Sequence, residues 1–195
     1  MKKALIILGG IFITALLIFF QQTRWGLSVT GAEIYMETYY DGVVADEKAM
    51  YQELGPEEYF GRYTQGWEYP DIFPSDKDED YCLVRIFIDL KSRSFLRYDL
   101  NDAYVINTAD NKAYIYRAWS ALISTFSIEG MASNSTDVIY LDLYKNGRTD
   151  EEILRDLSEL KIELHYSNRI FKLTKTIDLS KMKLTLLEKD PYDPN

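Results

Sequence analysis

The sequence predicts a mainly β protein, an antiparallel β-sandwich with one edge helix, preceded by an N-terminal transmembrane helix and a short helical segment. Three patterns carry this. Residues 4–20 form an uncharged apolar run. From residue 82 onward, seven or eight short segments place apolar side chains mostly at alternate positions, the period of half-buried strands. One segment near residue 150 switches to helical spacing and brings its own start signal.

The apolar run reads as a signal anchor comprising residues 1–24. Thr14 is its only polar side chain. A helix over residues 4–20 spans roughly 25 Å, just short of a 30 Å hydrocarbon core. Lys3 reaches headgroups at one end by extending its stem. Gln21, Gln22 and Arg24 meet them at the other, where Trp25 takes the position of an interfacial aromatic. A cleaved leader needs small residues close behind the run. The nearest such triplets, Gly26-Leu27-Ser28 and Thr30-Gly31-Ala32, are displaced from it, so the segment is expected to be retained. Lys2, Lys3 and the amino terminus precede it, and one arginine follows closely. That asymmetry keeps the N-terminus cytoplasmic and puts the rest outside. Gly10 and Thr14 make one small-xxx-small pair that brings helices together in some membrane proteins; a chance pair facing lipid is the plainer reading.

Residues 25–66 are expected to form a helical and loop collar. GAEIYMETYYDG reads as a short helix ended by Gly42. VVADEKAMYQELG reads as a second, with Asp46 as N-cap and Gly55 as stop, and Pro56 opens a further turn in PEEYFGRY. The Pro-, Gly- and acid-rich TQGWEYPDIFPSDKDED leads into the sandwich, residues 67–188. In CLVRIFIDL, Cys82, Val84, Ile86, Ile88 and Leu90 share one face. AYVINTADNKAYIYRAW reads as a hairpin around Ala-Asp-Asn-Lys. LISTFSI and DVIYLDLY follow as strands, the second with Ile139, Leu141 and Leu143 on one side. In NGRTDEEILRDLSEL, Thr149 and Glu152 make a capping box ahead of Ile153, Leu154, Leu157 and Leu160. KIELHYS, IFKLTKTIDLS and KMKLTLLE supply the last strands. Residues 189–195, with two prolines, are expected to form an unpacked, flexible tail. This layout resembles the signal-anchored, immunoglobulin-like envelope modules of bacteria, a resemblance of architecture that no single motif narrows.

A chain of 195 residues, 47% hydrophobic and 27% charged, is folded rather than disordered and fits one domain plus an appendage. The net charge is -9, and because Lys2 and Lys3 lie in the anchor the body is more acidic still. Such a body repels phosphate backbones and anionic headgroups, so no nucleic acid is expected as partner. One cysteine, Cys82, excludes an intramolecular disulfide. One histidine beside it leaves a nitrogen- and sulfur-ligated zinc site without ligands.

His165 shares the polar face of its strand with Glu163 and Ser167, and no nucleophile-elbow motif accompanies it. Cys82 lies on an apolar face close to Asp78, Glu79 and Asp80, a setting for an inert structural thiol. Asp76, Asp78 and Asp80 alternate as calcium-loop ligands do. An EF-hand needs Gly at its sixth position and Glu at its twelfth, where Tyr81 and Phe87 stand. The three acids are left as a weak calcium site or a solvated loop. Of sixteen tyrosines, eight fall between Tyr35 and Tyr81. Aromatic faces stack on sugars and peptides, so Tyr59, Tyr63, Trp67 and Tyr69 are the expected ligand surface; strand and core-edge roles are the plainer reading. Asn134-Ser135-Thr136 matches a glycosylation acceptor, which matters only in a eukaryotic secretory route.

No residue set names a reaction or a cofactor. The expectation is a non-enzymatic, single-pass membrane protein, held in the membrane by residues 4–20, whose extracytoplasmic sandwich serves as an envelope accessory that meets another envelope protein. The alternative is a module that binds cell-wall carbohydrate or peptide. A hydrolase would need two carboxylates of split pKa in one pocket.

Overall fold

The computed structural model describes residues 2–60, 73–107, 114–120, 127–128 and 133–191. Helix α1 (Lys2–Trp25) leads through Gly26 alone into strand β1 (Leu27–Thr38). Helices α2 (Val43–Leu54) and α3 (Pro56–Phe60) follow, then a 3₁₀ turn at Asp78–Asp80. The remaining elements are β2 (Tyr81–Ser92), β3 (Tyr98–Asn107), β4 (Tyr114–Ser120), β5 (Ser127–Ile128), β6 (Asn134–Tyr144), α4 (Asp150–Leu157), β7 (Lys161–Ser167), β8 (Lys172–Asp178) and β9 (Leu184–Leu186). Among the described residues the strands form two sheets, ordered β4-β6-β2-β1-β9 and β5-β3-β7-β8. Their ladders are antiparallel except for β1 and β9, which run parallel.

The two sheets share one core. Strand β2 sits at the centre of the larger sheet, and its expected inward face (Cys82, Val84, Ile86, Ile88, Leu90) is buried throughout. Each of its aliphatic side chains contributes about 1.5–3 kcal/mol on full burial. Ile139, Leu141 and Leu143 of β6 pack beside them, and Val105, Ile162 and Leu164 face them from the smaller sheet. Helix α4 adds Ile153 and Leu157 to the same core as the chain passes from one sheet to the other. Its capping box is as expected: Thr149 Oγ1 accepts from Glu152 N at 3.3 Å, and Thr149 N donates to Glu152 Oε2 at 3.0 Å.

Three local expectations fail, each for a physical reason. GAEIYMET is no helix but most of β1, paired along its length with β2. The register shifts between Val29 and Gly31, so the buried positions change phase from Leu27 to Ala32 and Ile34. A bulge of that kind hides a strand's period of two. The β3–β4 hairpin does not form: β3 lies between β5 and β7, whereas β4 pairs with β6 in the other sheet. Its turn lies outside the described residues. The tail is packed at Asp190, whose carboxylate pairs with Arg85 on the larger sheet. Residues 192–195 lie outside the described range.

Helix α1 is apolar over Ile6–Trp25, long enough to cross a membrane, and only 6% of that stretch is buried. Its last turn is different. Thr23 is fully buried; its carbonyl accepts from Tyr98 Oη at 2.8 Å and from Asn168 Nδ2 at 2.9 Å. The Phe19 ring stacks on Phe95 at 5.8 Å, and Phe20 meets Phe171 edge-on at 6.4 Å. Phe95 lies in the β2–β3 connection, Tyr98 opens β3, and Asn168 and Phe171 lie in the β7–β8 connection. The two hydrogen bonds satisfy a carbonyl that a helix end otherwise leaves open. Gly26 fits because nothing larger can: a Cβ there would lie 2.2 Å from Gln22 O and 2.8 Å from Ser94 N.

Candidate functional site

Of the expected site residues, Tyr59, Asp76, Asp78 and Asp80 fall at the end of β1 far from α1. There Asp78 performs a job its sequence position does not announce. The N-cap of helix α2 is Gly42, which has φ 95° and no side chain to cap the open amides. Asp78, across from it on the 3₁₀ turn, accepts from Gly42 N at 3.0 Å and Val44 N at 2.7 Å. The Val44 and Gly42 amides hold its carboxyl below the usual carboxylate range. Asp46, expected as the N-cap, lies in the first turn instead.

The neighbouring acids are engaged as well. Asp76 pairs with Lys48 of α2, whose ammonium also lies over the Phe73 ring. Asp80 accepts from Ser75 Oγ at 2.5 Å, while the backbone of Ser75 exchanges two hydrogen bonds with the Tyr81 hydroxyl. Among the described residues no group of three or more His, Cys, Asp or Glu is placed to hold a metal ion. Four protein donors, Gly42 N, Val44 N, Lys48 Nζ and Ser75 Oγ, divide the carboxylates of Asp76, Asp78 and Asp80, the acids expected as weak calcium candidates, and the loop folds around them.

Tyrosine in this region builds a second, smaller core. Val44, Tyr59 and Tyr81 are buried, with Tyr39, Tyr51, Phe73 and Tyr144 packed against them. Tyr59 is 4% exposed; its hydroxyl donates to Glu47 Oε2 at 2.6 Å and its ring meets Tyr51 edge-on at 5.3 Å. It is thus an interior residue and not part of an open stacking surface, a correction that burial of its one polar atom against Glu47 explains. Tyr63, Trp67 and Tyr69 lie outside the described residues. Tyr39 stacks on Tyr81 and donates to Asp142 Oδ1 at 2.5 Å, tying this cluster to β6. Tyr40, next in sequence, points the other way and is 75% exposed.

Cys82 is buried and burial pushes its thiol up to about 12, so it is a neutral thiol at physiological pH. His165 is partly exposed, with Nε2 2.7 Å from Glu163 Oε1. Asn134, Ser135 and Thr136 line a shallow cleft of about 460 Å³ with Asp89 and Lys91, where Thr136 Oγ1 donates to Asp89 at 2.8 Å.

One cluster escaped sequence reasoning. On the outer face of the larger sheet, Arg85 lies between the rings of Tyr35 and Tyr140, at 5.5 and 5.9 Å, and pairs with both Glu37 and Asp190. The register sets Arg85 opposite Tyr35 and Tyr140, so knowledge of which strands pair would have found it. Its guanidinium clasps the C-terminal segment onto the sheet.

The chain matches no protein-family model and no curated protein.

Proposed function

We infer that this chain is a single-pass, membrane-anchored protein whose body stands on the extracytoplasmic side and acts by meeting another envelope protein, without chemistry of its own. The observation that carries the reading is α1: apolar, almost wholly uncovered along its length, and held at its last turn by the body. A soluble protein exposing Ile6, Phe12 and Leu17 on all sides of one helix would aggregate. The orientation rests on Lys2 and Lys3 ahead of the helix. An immunoglobulin-like sandwich is supported by strand order. With β1, β2, β3, β4, β6, β7 and β8 as A to G, the sheets read D-E-B-A and C-F-G, the constant-type arrangement.

The partner-facing end is proposed to be the one farthest from α1. Tyr40 is exposed there, and Met50 and Leu54 reach the surface on α2; aromatic and methionine side chains are enriched where proteins meet. A photo-crosslinking residue at Asp41 of the full chain, in native membranes, tests this against one at Thr176 on the smaller sheet. A defined protein adduct from position 41, absent from 176 and lost with Tyr40→Ala, is the expected result. No adduct from 41, or retention of the purified protein on cell-wall glycan in its place, would overturn it in favour of carbohydrate binding.

A further inference from the structure

We propose that the body does not hang free below its anchor but docks its helix-proximal end onto the membrane surface, through the β2–β3 and β7–β8 connections, with a preference for anionic phospholipid headgroups. This rests on α1 spanning a bilayer and adds a second, separable contact.

Depth is the first argument. Phe19 and Phe20 are the last residues of the uncharged run, so whatever touches their rings sits at the hydrocarbon boundary. The body touches them with Phe95 and Phe171. The run is itself a few ångströms short of a typical hydrocarbon core, which draws these contacts toward the lipid rather than away from it. The connections therefore cannot stand clear of the headgroups while α1 is inserted.

The side chains at that level suit the place. Phe95 is 48% exposed and Ile170 49%, although both sit in connections where a soluble domain would favour polar residues. Trp25, the last residue of α1, is exposed as well. Around this apolar rim stand Arg24, Arg93, Arg97, Arg169 and Lys172, all exposed, with Arg97 paired to Asp99. Aromatic and aliphatic groups at the boundary with cations just beyond them is the pattern of an interfacial surface.

Charge is segregated along the body. At the opposite end, residues 39–60 and 73–80 carry ten acidic side chains against Lys48 and Lys77. The net charge of -9 predicts repulsion from anionic lipid, but the acids responsible lie about 40 Å away, the length of β1 at roughly 3.3 Å per residue. That exceeds the Debye length of about 8 Å several times over. Within the rim Asp99 offsets Arg97, while Arg24, Arg93, Arg169 and Lys172 face the headgroups, and the acidic end is pushed outward, which sets the body upright.

Fluorophore labelling of the full chain in vesicles tests this, because buried Cys82 stays unlabelled in the folded protein. A bimane on Ile170→Cys is compared with one on Leu17→Cys within α1 and one on Glu159→Cys after α4, with quenching by nitroxide-labelled lipid as readout. Quenching at 17 and 170 but not at 159, strongest in phosphatidylglycerol-containing vesicles, is expected. A cation near an anionic surface shifts occupancy roughly fivefold. Arg169→Gln with Lys172→Gln should then lower the ratio of docked to undocked body about 25-fold, seen as loss of quenching at 170 with quenching at 17 retained. Quenching at 17 with none at 170 would overturn the docking while leaving the anchor intact. Equal quenching at 170 in purely zwitterionic vesicles would overturn the lipid preference, and no quenching at 17 would remove the anchor itself.

Discussion

Replacing Gly26 with alanine sets two effects of opposite sign against each other. Gly26 has no left-handed backbone angle, so alanine at an uncrowded position there would stabilise by about 0.4–1 kcal/mol through a less flexible unfolded chain. The position is not uncrowded. The new methyl would lie 2.2 Å from Gln22 O, 2.8 Å from Ser94 N and 3.1 Å from Ser94 Cα. All three are backbone atoms and none can rotate aside. Overpacking of this kind costs about 1–3 kcal/mol, and the displacement also strains the hydrogen bond from Arg93 N to Gly26 O at 2.8 Å. The clash wins, leaving a net loss of about 1–2 kcal/mol. For a chain of this size that lowers the melting temperature by roughly 2–8 °C. Thermal unfolding of the full chain in detergent, followed by near-ultraviolet circular dichroism, measures it. Gly10→Ala, where nothing lies within 4 Å, is the control and should melt no lower than the parent. A Gly26→Ala protein melting at or above the parent would refute the close seating of α1 against the β2–β3 connection.

Further outcomes follow from the caps and the buried thiol. Asp78 is held below the ordinary carboxylate value, so its support of α2 is complete above about pH 4 and is lost only as pH falls through the lowered value. The amide resonances of Gly42 and Val44 should therefore titrate with a midpoint below 4, and Asp78→Asn should abolish that titration; a midpoint at or above 4 contradicts the cap. Thr149→Ala removes one half of the capping box and should destabilise by about 1 kcal/mol, read as a lower denaturant midpoint with unchanged slope. Cys82, with its thiol near 12 and its side chain buried, should resist iodoacetamide at pH 8 in the native protein and react on unfolding. Modification of the native form would show that β2 is not central.

Much of the fold was legible where the signal is local. The inward face of β2, the inward Ile139, Leu141 and Leu143 of β6, the alternation in β7, and the capping box of α4 all depend on neighbours a few residues apart, and each is where the pattern puts it. Strand β1 was hidden because a bulge breaks its phase, and its pairing with β2 spans the intervening helices. The β3–β4 segment has good turn chemistry, but turn residues do not decide which sheet a strand joins. The candidate site shows the same division. An acidic loop was visible at 76–80, yet that Asp78 caps α2 emerges only when Gly42 and Asp78 are brought together, and Arg85 finds Asp190 only through the sheet. Net charge hid the cationic rim in the same way: Arg24, Arg93, Arg97, Arg169 and Lys172 are scattered along the chain and gather only because two connections meet one helix end.

The central claim is that an uncut α1 crosses the membrane and carries the body outside. Labelling of intact cells with a membrane-impermeant maleimide tests it directly, using full-length Lys3→Cys and Glu159→Cys. Glu159→Cys should label on intact cells and Lys3→Cys only after permeabilisation, with both proteins at full length in the membrane fraction. Labelling of Lys3→Cys from outside, or a mature chain that has lost position 3, would contradict the account.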